Sequence, residues 1–159
     1  MNDPLNVPYG KGYFLIANPV LPDPNFSRTV VLLCNHDEQG SFGLVVNKEA
    51  EIKPADVFSG IEGLGSYKGR AYVGGPVSQS QMFYLCRSSE PVPEMEQICP
   101  GVHLGMDWNF LGGVMGRIPD PEINIRFFLG YSGWGAGQLA GEMERRSWLT
   151  GKAVESLVF

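Results

Sequence analysis

Ile123-Asn124-Ile125-Arg126-Phe127-Phe128-Leu129, followed at once by Gly130-Tyr131-Ser132-Gly133-Trp134-Gly135-Ala136-Gly137-Gln138-Leu139, is the stretch that decides the fold. The first seven residues are rich in β-branched and aromatic side chains and read as the last long strand. Beyond the glycines, Ala136, Leu139, Ala140 and Met143 recur at the spacing of one helix face, with Gln138, Glu142, Glu144 and Arg145 on the other. A helix is therefore expected to begin near Gly135. Four glycines at one strand–helix junction mean that the backbone turns sharply there, is closely approached, or both.

Working outward, the chain shows strands in consecutive runs. Residues 1–11 read as a loose lead-in. Tyr13 to Ala17 is a first strand, and Pro19, Pro22 and Pro24 forbid regular pairing after it. Residues 28–35 and 42–47 are two more strands, joined as a hairpin by the turn Asp37-Glu38-Gln39-Gly40. Pro54 suits the first turn of a short helix over 53–58, which Gly60 and Gly63 stop. A strand over 70–73 ends in Gly74-Gly75-Pro76, and 78–86 holds another. A polar loop over 88–93 leads to an edge strand over 96–104, broken by Pro100-Gly101. Asp107 caps a short helix over 108–114. Consecutive strands with few helices imply α+β, with a mostly antiparallel sheet. The runs 30–33, 44–46, 83–85 and 127–129 are apolar on both faces. Such a sheet is curved and barrel-like, flanked by short helices, and these runs are expected to form one connected core. With no repeat or linker, 1–159 reads as a single domain.

Composition narrows the function classes. The chain carries 12 basic against 17 acidic residues, a net charge of −5, spread evenly. With no basic arm or stripe, direct nucleic-acid binding is not expected, because phosphate neutralisation supplies most of such affinity. Cys34, Cys86 and Cys99 form no CxxC pair and read as buried, reduced thiols. No signal segment or membrane-length apolar run is present, so a cytoplasmic protein with no membrane partner is expected.

The glycine-rich junction is the favoured site. A helix start offers free N–H groups, and glycines let a ligand or a partner's backbone come close. The run is not GxGxxG, since Gln138 stands at the third glycine, and it is not the GxSxG nucleophile elbow, since Trp134 stands at the last. The two histidines, His36 and His103, both precede Ser132, so a triad in the elbow's chain order is absent. Cys34-Asn35-His36-Asp37 lacks a second cluster and makes no metal site; His36 is expected to bond backbone at the hairpin. Gly74-Gly75-Pro76 and Gly133-Trp134-Gly135 are expected to converge on one rim, with Trp134 offering an apolar face or plugging the core.

These motifs resemble a known pattern. Gly12-Tyr13-Phe14-Leu15-Ile16-Ala17 with Pro19, then Asp23-Pro24, Phe26, Arg28, Thr29 and Val30, resembles the opening of the AlgH/YqgE family of bacterial proteins. His36, Gly40 and Gly43-Leu44-Val45-Val46-Asn47 continue the resemblance. Val73-Gly74-Gly75-Pro76-Val77, the run from Gly130 to Gly135, Gly137-Gln138-Leu139, Glu142 and Trp148-Leu149 complete it. The resemblance implies an α+β fold with a curved barrel-like sheet. The family is largely uncharacterised, and its AlgH branch is described as a candidate transcriptional regulator. No catalytic residue, metal or cofactor is carried over. Glu49 departs from the proline the family often has there, and the chain stops at Phe159 where relatives usually continue, so a bare surface is expected near Phe159. The expected binding set is Arg28, Asn47, Gly74, Gly75, Pro76, Ser132, Gly133, Trp134, Gly135 and Gln138. The expected function is regulatory, through binding a protein partner or a small ligand. An enzyme using the glycine-rich face is the alternative, and a direct DNA-binding regulator is third. The sequence assigns no oligomeric state.

Overall fold

Both faces of one sheet are buried, and that decides where everything else sits. The computed structural model describes residues 8–19, 28–57 and 64–159. Its strands are β1 (Tyr13–Ala17), β2 (Val30–Asp37), β3 (Gly40–Val45), β4 (Ala71–Val73), β5 (Val77–Arg87), β6 (Glu96–Cys99), β7 (Val102–Gly105), β8 (Ile125–Gly135) and β9 (Trp148–Lys152). The helices are α1 (Pro54–Val57), α2 (Leu111–Arg117), α3 (Pro121–Asn124), α4 (Gln138–Glu144) and α5 (Glu155–Val158). The strands form one nine-stranded sheet in the order β6-β7-β5-β8-β3-β2-β1-β9, with β4 joined to β8. Every pairing is antiparallel except β4 with β8, so the mostly antiparallel α+β reading holds.

Alternation along each strand sends neighbouring side chains to opposite faces. Leu32 and Cys34 of β2, Phe83 and Leu85 of β5 and Phe128 of β8 meet Phe14, Ile98 and Val102 in one cluster. Strands from both ends of the sheet share that cluster, which requires the sheet to curl around it. The opposite, convex face carries two separate clusters. Val31, Leu33 and Val45 pack with Trp134 under α4, whereas Met82, Tyr84, Ile125 and Phe127 pack under α2. The expected single core is therefore three, because a sheet covered on both faces keeps its two sides apart. Cys34, Cys86 and Cys99 are buried free thiols.

Several boundaries differ from the sequence reading. β8 does not stop at Leu129 but runs through the glycines to Gly135, and α4 starts three residues later than expected, after Gly137 with φ +76°. Gly130 (φ +70°) lies where β8 passes from β4 and β5 to β3, with one last β5 pair, Val77 with Tyr131, just beyond it. A Cβ there would sit 2.6 Å from the Gly75 oxygen and 2.8 Å from that of Val77, so only glycine fits. Residues 96–104 are a hairpin, not one broken strand. Asp107 does cap, accepting from Asn109 N–H at 2.9 Å, but a 3-10 turn (Trp108–Phe110) precedes α2. The lead-in is tied down at Lys11, whose ammonium lies 2.8 Å from Glu96 of β6. Phe159 is half-buried under the Arg87 guanidinium, 5.2 Å away. Pro22, Asp23, Pro24, Phe26, Phe58, Gly60 and Gly63 lie outside the described residues.

Candidate functional site

The first glycine motif packs directly against the strand that carries the second. Gly74 N–H donates to Leu129 O at 2.8 Å, and Gly74 O accepts from Val45 N–H at 2.8 Å and from the Ser132 hydroxyl at 3.1 Å. A Cβ on Gly75 would strike the Tyr131 carbonyl and the Ser132 amide. Gly74 and Gly75 thus meet Gly130, Tyr131 and Ser132, while Gly133, Trp134 and Gly135 pair with Phe42, Ser41 and Gly40. Ser132 is fully buried, with its hydroxyl given to a carbonyl. Pro76 is exposed beside this clasp. Asn47 and Arg28 form a separate local brace. The Asn47 side chain accepts from Val30 N–H at 2.9 Å and donates to Arg28 O at 3.0 Å, holding Arg28 at φ +59°.

Trp134 is 5% exposed and sits edge-on to Trp148, ring centroids 6.0 Å apart. Both indole N–H groups donate to one oxygen of Glu142, at 3.1 and 2.9 Å. The other oxygen of Glu142 accepts from Gln138 Nε2 at 3.1 Å, and Gln138 Oε1 accepts from Gly135 N–H at 3.0 Å. Glu142 was expected on the outer face of α4 with the other charged residues. It turns inward because two buried indole donors need an acceptor. Trp134 therefore gives its face to the cluster under α4.

A cleft of about 350 Å³ lies one step away, at the tip of the β2–β3 hairpin, lined by the hairpin residues His36, Asp37, Glu38, Gly40 and Ser41 with Tyr9, and by Gly135, Gly137, Leu139 and Ala140. A bulge in β2 between Leu33 and Asn35 puts His36 there. Without it, His36 would share the concave face with Leu32 and Cys34; the extra residue flips it to the α4 side. His36 faces Ser41 across the ladder, with Nδ1 2.6 Å from the hydroxyl oxygen. The expected backbone bond at His36 is thus a side-chain bond. The Tyr9 ring leans on the imidazole, centroids 5.1 Å apart. Asp37 accepts from Gln39 and Gly40 N–H at 2.8 and 3.2 Å, so its carboxylate holds the turn. Of the expected binding residues, Gly135 lines this cleft. The His36–Ser41 pair was missed, although a tight turn after Asp37 predicts that the two face each other.

Burial pushes the Cys34 and Cys99 thiols up, and that of Cys86 up to about 12. None is a ready nucleophile. Among the described residues, no helix is long and apolar enough to cross a membrane.

Comparison with known proteins agrees with this architecture. A family profile described as AlgH-like matches residues 14–159. A UPF0301 protein of Chlorobium luteolum is 36% identical over 93% of this chain and 77% of its own length, and one of Chlamydia pneumoniae is 37% identical over 98% and 83%. The solution structure of AlgH from Pseudomonas aeruginosa superposes with a TM-score of 0.76 at 30% identity, covering 100% of this chain and 85% of that one. The crystal structure of protein DIP2367 from Corynebacterium diphtheriae, at 21% identity, shares the fold with a TM-score of 0.80 over 96% and 80% of the two chains. A sheet curled around one cluster, the glycine clasp that closes it and the profile over 14–159 lead to one conclusion: this chain belongs to the AlgH-like family.

Proposed function

We propose that this protein is a cytoplasmic regulatory binding module, and that the cleft at the hairpin tip receives a small polar ligand. The observation that carries this reading is the cleft itself, about 350 Å³ and lined by both glycine backbone and the His36–Ser41 pair. Glycine lining lets a ligand reach main-chain groups, and His36 and Ser41 supply side-chain donors and acceptors. The regulatory part rests on the family's AlgH branch. A screen of nucleotides, organic acids and metal ions by thermal shift, followed by amide chemical-shift mapping, tests it. Ligands that raise the melting point and move His36, Ser41, Gly135 and Gly137 support the reading. Hits that all map elsewhere, or a loop of a partner protein as the only occupant, overturn it.

A second reading, an enzyme, is favoured by the 2.6 Å approach of His36 Nδ1 to the Ser41 hydroxyl. In such a pair the imidazole accepts the hydroxyl proton as the oxygen attacks. Labelling of Ser41 by a fluorophosphonate, lost in His36→Ala, would support it, and an unlabelled protein would remove it.

A further inference from the structure

We propose that Glu142 is the positioning residue of the cleft, acting through Gln138 on the wall made by Gly135 and the start of α4. The proposal rests on the cleft reading above. Three N–H donors converge on the Glu142 carboxylate: the indoles of Trp134 and Trp148 on one oxygen and the Gln138 amide on the other. An ionised carboxylate only accepts, so it satisfies all three. Because Gln138 gives its NH2 end to Glu142, its oxygen is turned to Gly135 N–H. That bond ties the end of β8 to the first residue of α4, and Gly135, Gly137, Leu139 and Ala140 along this segment form the cleft wall.

The usual conservative replacement cannot do this. In Glu142→Gln the side chain has one acceptor oxygen and one NH2 group. If the oxygen meets the indoles, the NH2 confronts Gln138, which must flip and present donors to Gly135 N–H. If the oxygen meets Gln138, the NH2 confronts both indoles. Either arrangement leaves at least one donor without its protein acceptor. Aspartate has the acceptors but lacks one methylene of reach. The orientation of the cleft wall thus depends on the charge type at 142, not only on the space the side chain fills.

Amide hydrogen exchange by NMR tests the latch in the free chain. Glu142→Gln is expected to speed exchange of Gly135 by about tenfold, the loss of one hydrogen bond, with Gly137 and Leu139 following. Gln138→Ala should do the same, and the double variant should be no faster at Gly135 than Gln138→Ala alone. Leu32 and Leu44, in the concave cluster, should keep their protection. A rise shared equally by Leu32, Leu44 and Gly135 would mean that Glu142 only stabilises the fold, and would overturn the proposal, as would an unchanged Gly135. If Glu142→Gln does not fold, Gln138→Ala carries the test, with both indole N–H signals expected to stay in place while Gly135 exchange rises. No ligand enters the measurement, so an empty ligand screen leaves the latch standing, and a protected Gly135 sinks the latch whatever binds.

Discussion

The two clusters on the convex face are each covered by a helix of seven residues and each rich in aromatic rings, yet they are held in different ways. Under α2, Phe127 meets Tyr67 edge-on at 4.9 Å and lies nearly parallel to Trp108 at 6.4 Å. The tyrosine hydroxyls there reach carbonyls, Tyr67 to Ile125 O at 2.8 Å and Tyr84 to Asp107 O at 2.9 Å. Apolar area dominates on that side. Under α4, two indoles are pinned to a single carboxylate, and the helix is fixed by direction as much as by area. Packing tolerates small shifts and resists removal of volume. A convergent hydrogen-bond centre tolerates almost no change of type. The cleft borders the second kind of cluster, where a wall can be set by a few bonds.

The largest effect should come from removing volume under α2. Phe127→Ala should cost about 3–5 kcal/mol in urea unfolding, as a fully buried ring leaving a cavity. A loss below about 1 kcal/mol would break the contrast, because packing would not be what holds that side. Glu142→Ala should come next, at about 2–3 kcal/mol, since two indole N–H groups lose their shared acceptor. Tryptophan emission should shift with it. The two losses should add to within about 0.5 kcal/mol in the double variant if the clusters are independent, and a larger coupling would join them.

Acid should separate the two sides further. His103 of β7 is 3% exposed, and burial lowers its pKa below the ordinary 6.5, partly opposed by a backbone hydrogen bond at Cys86. Below 6.5 the unfolded chain takes up a proton that the folded one refuses, so stability falls as pH drops from there toward the lowered folded value. His103 lies opposite Cys86, a member of the α2-side cluster, so the loss belongs to that side. His103→Gln should flatten the fall in chemical unfolding between neutral and mildly acid pH. An equal slope in the variant would remove His103 as the cause. The smallest effect is expected at the cleft. Ser41→Ala should cost about 0.5–1.5 kcal/mol, one part-buried hydrogen bond, and should move the NMR signals of the His36 ring. His36 ring signals identical to wild type would show that the pair is not formed in solution.

The β2–β3 hairpin, the two-faced apolar runs and the Leu139–Met143 face of α4 were legible, because side-chain periodicity records which face is buried. What stayed hidden has a common cause. The continuation of β8 through Gly133 and Gly135 could not be read, since glycine has no side chain with which to show alternation. The inward turn of Glu142 contradicts a face assigned by polarity alone; only the two indoles in space explain it. The bulge that turns His36 to the α4 side of the sheet leaves no mark in composition. β9 went unread because five residues with Gly151 in their midst look like a loop. The glycine segment borders the proposed cleft both at the end of β8, with Gly135, and at the start of α4, with Gly137.

The change of partners at Gly130 has a consequence for how the chain is made. The strand at the centre of the sheet comes late in the sequence, and it joins β3, β4 and β5, whose residues precede it by dozens of positions. During synthesis the earlier strands leave the ribosome with their hairpin partners but without the element that unites them. The sheet can be completed only when 125–135 has emerged, a vectorial delay typical of folds rich in distant pairings. Until then the apolar faces of β2, β3 and β5 have no finished shelter.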